Sequence, residues 1–130
     1  MSRLEAIDGS NWETFVGSPW AVLMLGKTDC EHCISYTEEL QGFLGADRTY
    51  GDVRFGKMLL DKGGLASFKR ANPWLADVDV LPYTLIYRAG AKLAEFAGGG
   101  LPRLQARLDR LRAEATASPA GRPSSSTSIE

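Results

Sequence analysis

The sequence predicts an α/β fold: one central mixed β-sheet of four to five strands with helices on both faces. Three observations carry this reading. The run "WAVLMLG" at 20–26 is apolar without alternation, which suits a strand buried on both faces, as in parallel sheets. The first two thirds of the chain then alternate strand and helix patterns. The last third reads as two strands joined by a short turn and followed by a helix, which adds an antiparallel pair to the sheet.

Taken in order, 4–7 is a short first strand, and Asp8, Ser10 or Asn11 can cap a short helix over 11–16. "GSP" at 17–19 breaks that helix before the buried strand at 20–26. Ile34, Tyr36, Leu40, Phe43 and Leu44 recur at helical spacing up to about Ala46. A strand is expected over 53–61 and a short helix over 65–71, which "NP" at 72–73 ends. "YTLIYR" at 83–88 and "KLAEFA" at 92–97 are strands of a hairpin turned by "AGA". Pro102 suits the first turn of a final helix, whose Leu101, Leu104, Leu108 and Leu111 form one apolar stripe. Residues 116–130, rich in Ser, Pro and Gly, are expected to be a disordered tail, leaving one domain over 1–115.

The totals agree with a single globular domain: 130 residues, of which 44 % are hydrophobic. A net charge of −1 offers no electrostatic footprint for nucleic acid or an anionic membrane, so neither is expected as a partner. No stretch approaches the ~20 apolar residues of a membrane span. The N-terminus has no apolar run long enough for a signal peptide, so a cytoplasmic location is expected. Nothing in the pattern asks for an obligate dimer, and a monomer is expected.

The chain's two cysteines and its single histidine all fall within "TDCEHC", 28–33. In a reducing compartment such a pair suggests metal binding or redox catalysis rather than a structural staple. A structural zinc wants four ligands. Cys30, Cys33 and His32 supply three at most, His32 and Cys33 are neighbours that point apart, and no further Cys or His exists. No metal is therefore expected. The redox reading uses every feature. Cys30 falls where a buried strand gives way to a helix N-terminus, a place that favours a thiolate nucleophile. Cys33, one turn further on, lies on the same side and can resolve a mixed disulfide on Cys30. His32, if protonated, favours a Cys30 thiolate, whereas Asp29 and Glu31 oppose it.

The ordered set resembles the thioredoxin family. It comprises "WAVLMLGK", a Cys-x-x-Cys opening a helix, a strand ending in Asp61, "VLPY" before a hairpin, and then "FAGGG" and a helix. The resemblance spans about residues 4–113. It implies a thioredoxin-like fold and a thiol–disulfide oxidoreductase that acts on disulfide-containing proteins. An unidentified reductase or small thiol would supply the electrons, and the only redox group would be the Cys30–Cys33 disulfide itself. It further implies that Cys30 attacks, Cys33 resolves and Pro82 is cis. The Leu81 backbone would pair with an extended substrate, and Gly98 would leave room on the other wall. Lys57 would be a charged residue beside the site. Three positions depart from the family: Asp29 replaces a Trp, Glu31-His32 replaces Gly-Pro, and Met24 replaces a buried Asp on the strand. Trp74 is read as a substitute for the missing Trp on the substrate surface, and Tyr83 as strand core. Two other functions compete. One is a glutaredoxin-like enzyme that works with a small thiol. The other is a binding or chaperone-like module that keeps the fold with weak redox activity.

Overall fold

The computed structural model describes residues 3–117. Its elements are β1 (Leu4–Ala6), α1 (Trp12–Val16), β2 (Ala21–Gly26), α2 (Glu31–Ala46), β3 (Arg54–Leu59), α3 (Ala66–Ala71), β4 (Tyr83–Arg88), β5 (Ala91–Ala97) and α4 (Leu101–Ala117). All nine expected elements are present. A further element has no counterpart in the sequence pattern: after Asn72 the chain continues as a 3-10 helix over Pro73–Asp77. Pro73 ends α3 as expected, and its fixed φ then suits the first position of the next turn. At the C-terminal end α4 runs on to Ala117, beyond the expected domain end at 115. Alternate alanines at 113, 115 and 117 are the best helix formers available. The rest of the expected tail, 118–130, lies outside the described residues.

The five strands lie in the order β1-β3-β2-β4-β5. β3 pairs parallel with both β1 and β2, while β4 pairs antiparallel with β2 and β5. The sheet is therefore mixed. Parallel neighbours need a crossover, and α2 supplies the one between β2 and β3.

Every residue of β2 is buried, as its unbroken apolar run requires. Its side chains alternate between two cores. Val22 and Met24 join Tyr36, Leu40, Phe55, Ile86, Leu104 and Leu108 on the α2 and α4 side. Leu23 and Leu25 join Phe15, Met58, Phe68 and Leu85 on the α1 and α3 side. The α4 stripe is anchored by Leu104 and Leu108, both fully buried. Each such leucine is worth about 1.5–3 kcal/mol against leaving it in water. No helix among the described residues is long and apolar enough to cross a membrane.

Tyr83 is not core. It is half-buried and donates its hydroxyl to Glu95 Oε1 at 2.7 Å. The phenol leads from the edge of the core to solvent, where a polar tip finds a partner.

Candidate active site

β2 ends at Gly26 and the chain crosses its C-terminal edge through 27–29 before α2 begins. The Asp61 carboxylate, just past the end of β3, pins this loop. It accepts from the Thr28 amide at 3.2 Å and from Thr28 Oγ1 at 3.2 Å. Desolvation pushes the Asp61 pKa up, but the Thr28 hydrogen bonds outweigh it, and the net shift is below the ordinary carboxylate value.

Cys30 is the N-cap of α2. Its backbone is extended (φ −93°, ψ 109°), and its sulfur accepts from the Cys33 amide at 3.2 Å. A sulfur thus does what a Ser or Asp oxygen does at most helix starts, satisfying an amide that the helix leaves unpaired. Cys30 and Cys33 form a disulfide, with Cα atoms 5.1 Å apart. That separation lies within the span a disulfide bridges. The two sulfurs differ in access. Cys33 is 1 % exposed, whereas Cys30 is half-buried and opens to solvent.

Cys33 packs into the space that Gly26 leaves. A Cβ built on Gly26 would lie 3.1 Å from Cys33 Sγ and 3.6 Å from Met24 Sδ. Met24 is fully buried, so this position of β2 carries a thioether and not an acid.

The second wall comes from the far end of the chain. The Leu81–Pro82 peptide bond is cis. The Leu81 carbonyl oxygen lies 3.9 Å from Cys30 Sγ. The Gly98 amide donates to the Pro82 carbonyl at 2.7 Å, which ties the β4 start to the β5 end. Gly98 sits at φ +87°, a conformation that other residues adopt only under strain. At Gly99 the reason for glycine is space: a Cβ there would meet the Tyr36 ring at 2.8 Å and Pro82 Cγ at 3.1 Å.

Beside the disulfide, which is not itself part of the lining, lies a groove of about 580 Å³. His32, Tyr36 and Glu39 of α2 form one side; Val80, Leu81, Pro82 and the glycines 98–100 form the other. Tyr36 is buried beneath it. Burial pushes its phenol pKa up to about 12, against a weak opposing hydrogen bond with Thr84, so it stays protonated. Glu39 also reaches beyond the groove: its carboxylate accepts from the Leu101 amide at 3.1 Å and so caps α4.

The structure brings together Cys30, Cys33, His32, Leu81, Pro82 and Gly98, and sets Asp29 and Glu31 as exposed neighbours of Cys30. Two candidates fall elsewhere. Lys57 pairs across the sheet with Met24 but lines a different groove, beside β1, with Gln41 and Lys62. The 3-10 helix carries Trp74 into a neighbouring notch with Asp77, Asp79 and Tyr83. Tyr36, Glu39, Val80 and Gly99 join the groove without having stood out as site residues in the sequence. Two of them leave a signal there, Val80 as the first residue of "VLPY" and Gly99 as the middle of three glycines. Among the described residues there is no group of three or more His, Cys, Asp or Glu side chains placed to hold a metal ion.

No protein-family model matches the sequence, and no curated protein matches it significantly. Solved structures do match. Thioredoxin f2 of Chlamydomonas reinhardtii is 22 % identical, over 84 % of this chain and 96 % of that one, with a TM-score of 0.67. Oxidized thioredoxin O2 of Arabidopsis thaliana is 21 % identical, over 85 % and 95 %, with a TM-score of 0.66. A chain from the complex of ferredoxin:thioredoxin reductase with thioredoxin f2 is 15 % identical, over 84 % and 94 %, also at 0.66. The chain has the thioredoxin fold. At such low identity the likeness is one of fold. The thioredoxin-like frame and its Cys-x-x-Cys pair at disulfide distance are established, while Glu31-His32 between the cysteines departs from the family's Gly-Pro.

Proposed function

We propose that this thioredoxin-fold protein is a thiol–disulfide oxidoreductase that reduces or exchanges disulfides in other proteins. One observation carries the reading: a disulfide with one open and one buried sulfur caps a helix, and its open sulfur lies 3.9 Å from the carbonyl of Leu81, a residue that lines a groove. The described state is the oxidised one. Here the Cys33 amide is aimed at Cys30 Sγ, and if that hydrogen bond is kept on reduction it favours the charged thiolate.

The Cys30 thiolate attacks one sulfur of a substrate disulfide. A Cys30–substrate bond forms, the substrate S–S bond breaks, and the departing thiolate takes a proton. Cys33, deprotonated, then attacks Cys30 Sγ, closing the internal disulfide and expelling the second substrate thiol. Two electrons pass to the substrate, and an electron donor, either a reductase or a small thiol, must return them. The likeness to a thioredoxin solved with its reductase supports a reductase as the donor class. Leu81 offers its backbone to an extended substrate segment, with Pro82 and Gly98 shaping the walls. Asp29, Glu31 and His32 adjust the charge around Cys30.

Among the described residues no lysine or arginine lines the groove, and Arg103, which stands beside its Gly98 wall, is engaged by the Ala97 carbonyl and the Phe96 ring. This weighs against a glutaredoxin-like role. Met24 favours the binding-module reading, because this β2 position carries a thioether that cannot take the Cys33 proton. In the oxidoreductase reading water or another base must take that proton. The test is reduction of insulin by dithiothreitol together with equilibration against glutathione. A single two-electron transition between about −120 and −270 mV is expected. Cys30→Ser should bring insulin reduction down to the reagent background. A protein whose cysteines refuse to pair, or whose Cys30→Ser variant works as well as before, is a binding module.

A further inference from the structure

The loop that carries Cys30 is held from the end of another strand. Thr28 and Asp29 form a turn that belongs to neither β2 nor α2, and the Cys30 amide donates back to the Lys27 carbonyl at 3.4 Å. Parallel pairing brings the end of β3 beside this turn: Gly26 stands opposite Leu59, and the Leu60 amide donates to the Gly26 carbonyl at 2.8 Å. Asp61, next along the chain, then closes on Thr28. Both of its carboxylate oxygens accept from the Thr28 amide at 3.2 Å, and Oδ1 also accepts from Thr28 Oγ1 at 3.2 Å. We propose that Asp61 is a positioning residue of the redox centre: by clamping Thr28 it holds Cys30 within reach of Cys33 and so favours the disulfide over the dithiol. The inference rests on the oxidoreductase reading and adds a determinant of its redox equilibrium that lies outside the Cys-x-x-Cys stretch.

The two cysteines are held unequally. Cys33 lies inside α2 and is 1 % exposed, so the helix and the core fix it. Cys30 is the N-cap, with extended backbone and a half-buried side chain. In the oxidised protein the covalent bond ties it to α2. After reduction its place depends on the backbone to either side. On the α2 side the Ile34 amide donates to the Cys30 carbonyl at 3.0 Å. On the β2 side stands the turn that Asp61 clamps. A thiol already held where it must react loses less freedom when the bond closes, which raises its effective concentration. Releasing the turn gives the dithiol a freedom that the disulfide form cannot gain. The clamp is strong for its size, because hydrogen bonds to an ionised carboxylate are about twice as strong as those between neutral groups.

Charge acts in the same direction as position. A carboxylate near Cys30 disfavours its thiolate, which only the reduced form can carry. Removing Asp61 therefore favours the dithiol on both counts, and the variants must separate the two.

The test is the equilibrium of the full-length protein with glutathione, read by mass-tagging of free thiols. Two glutathione thiols reduce the Cys30–Cys33 bond and leave as one glutathione disulfide, so two electrons and two protons pass to the protein. Asp61→Ala should move this equilibrium about three- to tenfold toward the dithiol, or about 14–30 mV at ~29.6 mV per tenfold. Asp61→Asn loses the charge but keeps an oxygen that can accept from Thr28, so its shift should be smaller. Thr28→Val deletes one bond of the clamp and leaves Asp61 charged; it should move the equilibrium about twofold in the same direction. The thermal midpoint of oxidised Asp61→Ala should fall further than that of the reduced variant, whereas a residue that merely supports the fold lowers both alike. An unmoved equilibrium in Asp61→Ala overturns the positioning role. Equal shifts in the Ala and Asn variants assign the effect to charge and overturn it too. If Asp61→Ala does not fold, Thr28→Val decides, and no shift there overturns the proposal. A wild-type protein that forms no disulfide overturns the oxidoreductase reading, an outcome visible before any variant is made.

Discussion

The two halves of this chain contribute different things to one site. The first, from β1 through β3, carries the chemistry: Cys30 and Cys33 follow closely on the end of β2, and their geometry is set by a single turn of α2. The second, from the 3-10 helix through α4, carries no reactive group to the site. It contributes Val80, Leu81, Pro82 and the glycines 98–100, which form one wall of the groove. The halves are joined through the β2–β4 pairing, in which Leu25 stands opposite Tyr83. A disulfide pair can thus be written locally, in one Cys-x-x-Cys stretch, whereas the surroundings of its open sulfur depend on contacts such as Cys30 with Leu81, 51 positions apart.

The largest effect should come from removing what holds the second half in place. Leu108→Ala empties a fully buried position between α4 and the sheet. It should cost about 2–5 kcal/mol in chemical denaturation. If the comparison is right, the folded fraction that survives still forms the Cys30–Cys33 disulfide, because α2 holds both cysteines.

Gly99→Ala is the sharper instrument. The added methyl meets the Tyr36 ring and Pro82, and overpacking of this kind costs about 1–3 kcal/mol. Reduction of protein disulfides should fall by more than the rate at which a small alkylating reagent modifies reduced Cys30. Equal losses in the two assays would show that the halves are not separable.

The smallest effect spans both halves. All four tyrosines, Tyr36 and Tyr50 from the first and Tyr83 and Tyr87 from the second, are raised to about 12, in each case chiefly by burial. Their pKa in the unfolded chain is about 10. A raised folded pKa means the stabilisation is fully present below about pH 10 and is lost as pH climbs from about 10 through 12. Thermal midpoints should therefore drop across that window. In the folded protein, phenolate absorbance at about pH 11 should lag behind that of a denatured control. Phenolates appearing in the folded state with a midpoint near the ordinary value of about 10 would contradict the packing at these residues.

Much of the fold is legible in the sequence. The unbroken apolar run of β2, the helical spacing from Ile34 to Leu44 and the leucine stripe of α4 each report local periodicity, and periodicity is written in neighbouring residues. Cys-x-x-Cys at a strand-to-helix junction is likewise local, so the reactive pair can be read directly. The 3-10 helix cannot, because Asn72-Pro73 signals only that one helix stops, not that a tighter one starts. Tyr83 misleads because "YTLIYR" reads as uniform core, and only its place at the start of β4, with its hydroxyl on Glu95 of the edge strand β5, leaves its first residue half-buried.

The sequence by itself determined the elements, the sheet class and the cysteine pair, because each depends on residues within one or two turns of chain. Tertiary structure alone decided which residues share the groove. It sent Trp74 and Lys57 to other concavities and brought Tyr36 under Gly99 and Glu39 to the start of α4. It also left Asp77 and Asp79 exposed beside an aromatic wall. Those outcomes depend on strand order and on how far each helix sits from the sheet, and no short stretch of the chain encodes such distances.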